Sequence, residues 1–335
     1  MRAAWYERNG MASEVLTVGE MPDPEPGSGE VRVRVHATGL NPADVKRRRG
    51  VGGRTMTAAR VIPGDDGAGI IDRVGPGVPA SRVGQRVWVH SANHNRPFGT
   101  SAEYAVVPAV QAIELPDHVS FDAGACLGVP ALTAHRCLFA DGPIDGQTVL
   151  VTGGAGAVAH YAIEMAKYAG ATVIATASTP DKHHAALTAG ADHVVDYRRP
   201  DAAATILGLA PEGINRIVDV AFGANLLLTS SVIAQGGTIA SYASDAAPEP
   251  VLPFYPLMRR GVTIRTVLVF TMPTSAVGIA TQYVTRLLAA DVLSHPIAAR
   301  YSLDTIAVAH ADLEGGRVIG KIVINPTASR SEPGP

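Results

Sequence analysis

Residues 31–40, VRVRVHATGL, alternate charged and apolar side chains with a period of two, the pattern of a strand with one wet face. The same style continues in VIPGDDGAGIIDRVG (61–75), RVGQRVWVH (82–90) and AEYAVVP (102–108), short β-branched runs punctuated by Gly or Pro. Turns spaced roughly 8–12 residues apart predict a compact, partly open barrel over about the first 122 residues.

From 148 onward the pattern changes. TVLVT (148–152), ATVIATA (171–177), ADHVVDY (191–197), RIVDVA (216–221) and GGTIASY (236–242) are short apolar strands, with helical stretches at 157–169 and 180–189. Alternating units of this length predict an α/β domain with a doubly wound parallel sheet covered on both faces. VTIRTVLVF (262–270) reads as a further strand, TSAVGIATQYVTRLLAAD (274–291) as a helix and GKIVI (320–324) as a last strand. The Pro/Ser/Gly-rich stretch 326–335 reads as a disordered tail.

With 335 residues, the chain has material for two domains, and 47% hydrophobic with 17% charged residues suits large buried sheets. A formal net charge of −2 supplies no broad basic field for nucleic acid or an anionic membrane. The run Lys46-Arg47-Arg48-Arg49 is the local exception; it reads as a solvated face or turn flank, the alternative being a phosphate contact. No secretory pattern opens the chain, and no apolar run reaches the ~18 residues of a membrane span. Two cysteines, Cys126 and Cys137, are too few for a disulfide framework or a four-cysteine zinc site, so a reducing, cytoplasmic setting is expected.

VLVTGGAGAVAHYAIEMAKYAG (149–170) carries the most chemistry. A buried strand runs into Gly153-Gly154-Ala155-Gly156-Ala157-Val158-Ala159, where a helix opens. Gly153, Gly156 and Ala159 form GxxGxxA, a variant of the dinucleotide turn in which small residues let the helix start approach a pyrophosphate. The second strand ends in Ala177-Ser178-Thr179-Pro180-Asp181-Lys182. No acid stands at its tip to accept the ribose hydroxyls of NAD, whereas Ser178 and Lys182 suit a 2′-phosphate; the cofactor expected is NADPH. Asp181 would oppose that phosphate if it pointed inward, and Ser178 has a second reading as a helix N-cap before Pro180.

These segments, with GLNPADVKRRRG (39–50), PGDDGAGIIDRVG (63–75), FGTSAEYAVVP (98–108), LGVPALTAHRCL (127–138), GADHVVDYR (190–198) and GKIVI, resemble in order the zinc-independent medium-chain dehydrogenases/reductases of the quinone oxidoreductase (zeta-crystallin-like) group. The resemblance spans nearly the whole chain. It implies a GroES-like β-rich catalytic domain (1–122 and 273–325), an inserted Rossmann domain binding NADPH (123–272), and an active site in the cleft between them. It implies that Tyr197 joins Ser178 and Lys182 at the 2′-phosphate. Asn41 and Thr133 would lie near the nicotinamide, with Tyr242 and Phe270 flanking the cofactor. It also implies a homodimer through the 262–270 edge strand. Three departures stand out: Ala159 replaces the family's usual Gly, Glu164 replaces Gln, and no tyrosine occurs between Lys46 and Gly52 to face the substrate.

Zinc-dependent relatives carry Cys where this chain has Asn41, His-Glu where it has Asp65-Asp66, and a second Cys near Val129. An amide, two carboxylates and a valine do not make a tetrahedral N/S site, so no metal is expected. Successive residues of an extended segment face opposite ways. One of the two aspartates is therefore expected toward the cleft and the other against backbone N–H groups or a cation. The expected reaction is hydride transfer to a small hydrophobic quinone or other conjugated carbonyl. Candidates to meet the acceptor are Asn41, Lys46, Asp65 and a donor in the polar loop 90–96, Asn93 foremost. His135, His160 and Tyr104 read as packing residues. Two alternatives remain: an enoyl or alkenal reductase acting on an α,β-unsaturated ketone or thioester, and a dinucleotide-binding scaffold without turnover.

Overall fold

A computed structural model describes residues 1–56, 58–316 and 318–328. Most of the expected tail, from 329, lies outside the described residues. The chain divides into two compact units, Met1–Val129 with the stretch that begins at His295, and Pro130–Ser294.

In the first unit the strand Glu30–Leu40 is the hub. It pairs antiparallel with Asp66–Val74, Tyr104–Pro108 and Lys321–Asn325, so the last strand of the chain completes the sheet of the first. Val31, Val33, Ile71, Val87, Val89 and Val107 fill one core, and Leu40, Ile306, Ile322 and Ile324 another. The wet face predicted for 31–40 is drier than its charges suggest. Arg32 is buried because its guanidinium pairs with both Asp72 oxygens at 3.0 and 2.7 Å and lies 4.6 Å from the centre of the Tyr104 ring.

The second unit is the expected parallel sheet. Its strands run in the order His193–Val195, Thr172–Thr176, Thr148–Val151, Ile214–Asp219, Ile233–Ser241, Thr263–Thr266. Numbered along the chain this is 3-2-1-4-5-6, the doubly wound order, with its switch point between Thr148–Val151 and Ile214–Asp219. Leu150, Ile174, Ile206, Ile217 and Ile239 pack its core.

Two sequence expectations are corrected here. The strand placed at 262–270 covers only Thr263–Thr266, and Val269–Thr271 is a 3₁₀ turn. Its neighbour Ile233–Ser241 ends opposite Thr266, so the ladder has no further partner. The helix Thr274–Ala289 belongs to the second unit, not to the barrel. Its apolar face buries Ala280, Val284, Leu287 and Leu288, and Tyr283 packs on the rings of His135 and Phe139, each about 5.1 Å away. Among the described residues no helix is long and apolar enough to cross a membrane.

Candidate functional site

The glycine turn of the second unit is built for close approach. Gly153 sits at φ +64°, and a β-carbon there would lie 2.9 Å from Val220 Cγ1. At Gly154 a β-carbon would meet Ala175 and Ala186 at 2.9 and 3.0 Å. Gly154 falls outside the GxxGxxA spacing, so pattern reading passed over the most crowded of the three. Gly154 N–H donates to the Thr176 carbonyl at 2.8 Å, and Gly153 N–H to Thr176 Oγ1 at 3.1 Å. Asp219 accepts from Thr152 Oγ1 and Asn225 Nδ2 at 2.7 and 2.6 Å, fixing the ends of the two strands at the switch point. Gly156 is the N-cap of the helix Ala157–Tyr168. The first-turn N–H groups, Ala157 and Val158 among them, have no carbonyl within the helix to bind and are left for an anion. Ala155 is half-buried in the same turn. The turn fits a dinucleotide.

Past the end of the strand Thr172–Thr176 lies a concavity of about 830 Å³, lined by Ser178, His183, His184, Arg198, Arg199 and Thr205 among others. Thr179, not Ser178, caps the helix Pro180–Thr188, accepting from Lys182 N–H at 3.4 Å. The Ser178 hydroxyl is thus not consumed as the cap. Lys182 and Tyr197, expected at a 2′-phosphate, are not among the residues lining this concavity, whereas Arg198 and Arg199 are. Both arginines already have acid partners, Asp196 at 2.9 Å and Asp201 at 2.9 Å. Thr133 is buried, and Tyr242 and Phe270 are half-buried in the same unit.

The first unit holds a different assembly. Asn41 ends the strand Glu30–Leu40 and opens the helix Pro42–Arg49. Its side-chain amide donates to Asp66 Oδ2 at 2.8 Å and to the Gly39 carbonyl at 3.2 Å, while its Oδ1 accepts from the Lys321 ammonium. Asp66 also accepts from Val129 N–H at 2.9 Å and lies 3.5 Å from Lys321 Nζ. Asp44 accepts from the backbone N–H of Asn41 at 2.9 Å and of Gly64 at 3.1 Å. Arg47 donates to Asp65 at 3.0 Å and to Asn93 Oδ1 at 2.6 Å, and Asn93 Nδ2 donates to the Arg96 carbonyl at 2.8 Å. Asn41, Asp44, Asp65, Asp66, Asn93 and Lys321 are all buried. Burial is the main force raising all three carboxyls above the usual carboxylate range, Asp44 to about 7 and Asp66 to about 6.

Several sequence expectations change. The run Lys46–Arg49 is not a solvated face: Arg48 is fully buried against Glu314, Arg47 is largely covered, and only Arg49 is exposed. Asp65 and Asp66 do have different partners, but both are held internally and neither is exposed. Asn41 has both amide hydrogens engaged, which removes it as a free donor to an acceptor oxygen. Lys46 is half-buried on the same helix. Asp44, Arg47 and Lys321 escaped the sequence reading as site residues. His160 Nε2 lies 2.9 Å from Ser294 Oγ, and Glu164 accepts from Ser294 N–H at 3.0 Å, so both serve the fold.

The barrel, the 3-2-1-4-5-6 sheet and the open glycine turn together define a dinucleotide-binding dehydrogenase/reductase architecture. The family model described as alcohol dehydrogenase GroES-like domain matches residues 27–117, and that described as zinc-binding dehydrogenase matches 157–283. Over 307 residues the chain is 30% identical to quinone oxidoreductase of Pongo abelii, covering 90% of each. The chain belongs to the quinone oxidoreductase group of the medium-chain dehydrogenases/reductases. It is also 33% identical over 221 residues to the synaptic vesicle membrane protein VAT-1 homolog of Homo sapiens, a match covering 65% of this chain. The chain spans about half the length of that curated relative, 54%. A trans-enoyl reductase of Aspergillus terreus is 33% identical over 207 residues, 57% of this chain and 68% of that protein. Among solved structures, an NAD-dependent alcohol dehydrogenase superposes with TM-score 0.86 at 31% identity, covering 97% of this chain and 100% of the other. A mycobacterial protein complexed with NADPH gives TM-score 0.85 at 28% identity, with the same coverage.

The name of the matched second-domain family raises zinc directly. The side chains gathered around Asp66 are an amide, carboxylates and the Lys321 ammonium, with Val129 contributing only its backbone N–H. Among the described residues no three His, Cys, Asp or Glu side chains are placed to hold a metal ion. A site whose centre is reached by an ammonium does not fit Zn²⁺.

Proposed function

We propose that this protein is an NADPH-dependent reductase that delivers hydride to a quinone or another conjugated carbonyl compound without zinc. The observation that carries the reading is the buried Lys321–Asn41–Asp66 cluster, in which a lysine stands among the groups a metal would need. Without a Lewis acid to stabilise an alkoxide, alcohol oxidation is disfavoured, and an already polarised acceptor needs less help. The bound nicotinamide supplies the hydride; the chain supplies binding, alignment and exclusion of water.

The NADPH preference rests on the end of the second strand. Ala177-Ser178 leaves no acid for a ribose 2′-hydroxyl, and Ser178, His183, Arg198 and Arg199 line the concavity beyond it. Lys182 and Tyr197 remain proposed contributors to the 2′-phosphate contact. Lys46 is the cationic candidate for the acceptor oxygen, since the Asn41 amide is engaged. The likeness to a trans-enoyl reductase supports a second reading, reduction of an α,β-unsaturated ketone or thioester. Thr263–Thr266 is the outer strand of its sheet, with Ile264 and Leu268 exposed, which supports a homodimer across that edge.

Oxidation of NADPH and of NADH, measured against a panel of quinones, enones and enoyl thioesters, tests the reading. NADPH-preferring turnover with quinones is expected. Turnover confined to enoyl substrates would favour the second reading, and tight NADPH binding without turnover would make the protein a scaffold.

A further inference from the structure

Lys321 reaches the Asn41–Asp66 cluster from the strand Lys321–Asn325, far away in sequence, and it is buried. Two glycines make room for it and for Asp66. A β-carbon on Gly39 would stand 1.8 Å from the Ala125 carbonyl oxygen and 3.1 Å from Lys321 Cε. A β-carbon on Gly128 would stand 2.1 Å from Asp66 Oδ1, closing the path by which that carboxylate reaches Val129 N–H. The neighbourhood counts three buried carboxyls, Asp44, Asp65 and Asp66, against two cations, Arg47 and Lys321. Arg47 serves Asp65, so Lys321 is the cation available to Asp66.

We infer that Lys321 is a built-in structural cation doing the work of a bound metal ion. Its one charge joins the start of the helix Pro42–Arg49 to the start of the strand Asp66–Val74, whose Asp66 carboxylate in turn accepts from Val129 N–H. What it contributes is charge, since Asn41 Oδ1 and Asp66 Oδ2 both face the ammonium. Burying Asp66 without it would leave an uncompensated carboxylate, whereas removing both charges would leave a neutral, hydrogen-bonded amide pair.

A double-mutant cycle in thermal unfolding tests this, using full-length Lys321→Met, Asp66→Asn and the double variant. Each single change is expected to lower Tm by about 6 °C or more, and the double variant to lie well above the sum of the two losses. Additive losses, or single variants that match wild type, would overturn the inference. If Lys321→Met proves insoluble, a soluble double variant supports the inference, and an insoluble double variant beside a soluble Asp66→Asn overturns it. In a second arm, wild-type protein is equilibrated with Zn²⁺ and desalted. No bound zinc is expected; one zinc per chain, lost in Asp66→Asn, would show a metal where the lysine is assigned. The cycle reads stability alone, so it can fail while the reductase reading stands, and the reverse.

Discussion

The two units treat their polar groups in opposite ways. Around Asp66 most donors and acceptors are spent on one another: the Asn41 amide, the Asp66 carboxylate, the Lys321 ammonium and the Arg47 guanidinium all have partners inside the unit, while Asp65 Oδ1 is buried without one. At the glycine turn of the second unit, backbone N–H groups at the start of the helix Ala157–Tyr168 are left open beside small residues. A network matched internally sets structure, because removing one member of a charged pair leaves the other buried and unmatched; an open one binds, because a ligand completes it. Asn41, Asp65 and Asn93, which look catalytic by sequence, are thus held within the framework, whereas the glycine turn presents backbone and little side chain.

That contrast can be broken at either end. Arg47→Met removes the cation from buried Asp65 and is expected to cost about 3 kcal/mol or more in urea unfolding. A cost near zero would mean that Arg47 does not hold the buried Asp65 carboxylate. Gly154→Val forces branched atoms against Ala175 and Ala186 and should weaken dinucleotide binding by about a hundredfold or more, measured by nicotinamide fluorescence. Arg198→Ala should weaken NADPH by about tenfold and leave NADH nearly unchanged, with Lys182→Ala showing a smaller effect of the same sign. Equal losses for both cofactors would remove the concavity from the 2′-phosphate.

The smallest effect concerns pH. Asp44 is raised to about 7 in the fold, so the folded state holds a proton that the unfolded chain releases near its ordinary value. The stability this contributes is present at low pH and is lost as pH rises through about 7. Relative to wild type, Asp44→Asn should therefore be most destabilised near pH 5, with the Tm gap narrowing by about 2–4 °C toward pH 8. A gap that widens with pH would reverse the assigned direction. Buried His90, lowered to about 4, acts oppositely on the absolute curve, which is why the comparison is made between variants.

The sequence made the parallel sheet and the dinucleotide turn legible because both are local: strand, glycines and helix follow one another within 149–170. The cluster around Asp66 was not legible, because its members come from residues 41, 44, 66, 129 and 321 and only the tertiary fold brings them together. A run such as Lys46–Arg49 reads as surface on composition alone, yet helical periodicity turns Arg48 inward to Glu314. One signal was available: Asp44 stands three residues after Asn41, a spacing at which a carboxylate can reach back to the N-cap N–H. The helix Thr274–Ala289 was misassigned because its amphipathic pattern says that it packs, not against what.

The central claim is hydride transfer without a metal, and it is tested most directly by following NADPH oxidation by a quinone with protein dialysed against a strong chelator and verified metal-free. Full turnover is predicted, unchanged on adding Zn²⁺. Activity lost on chelation and restored by stoichiometric zinc would contradict the account.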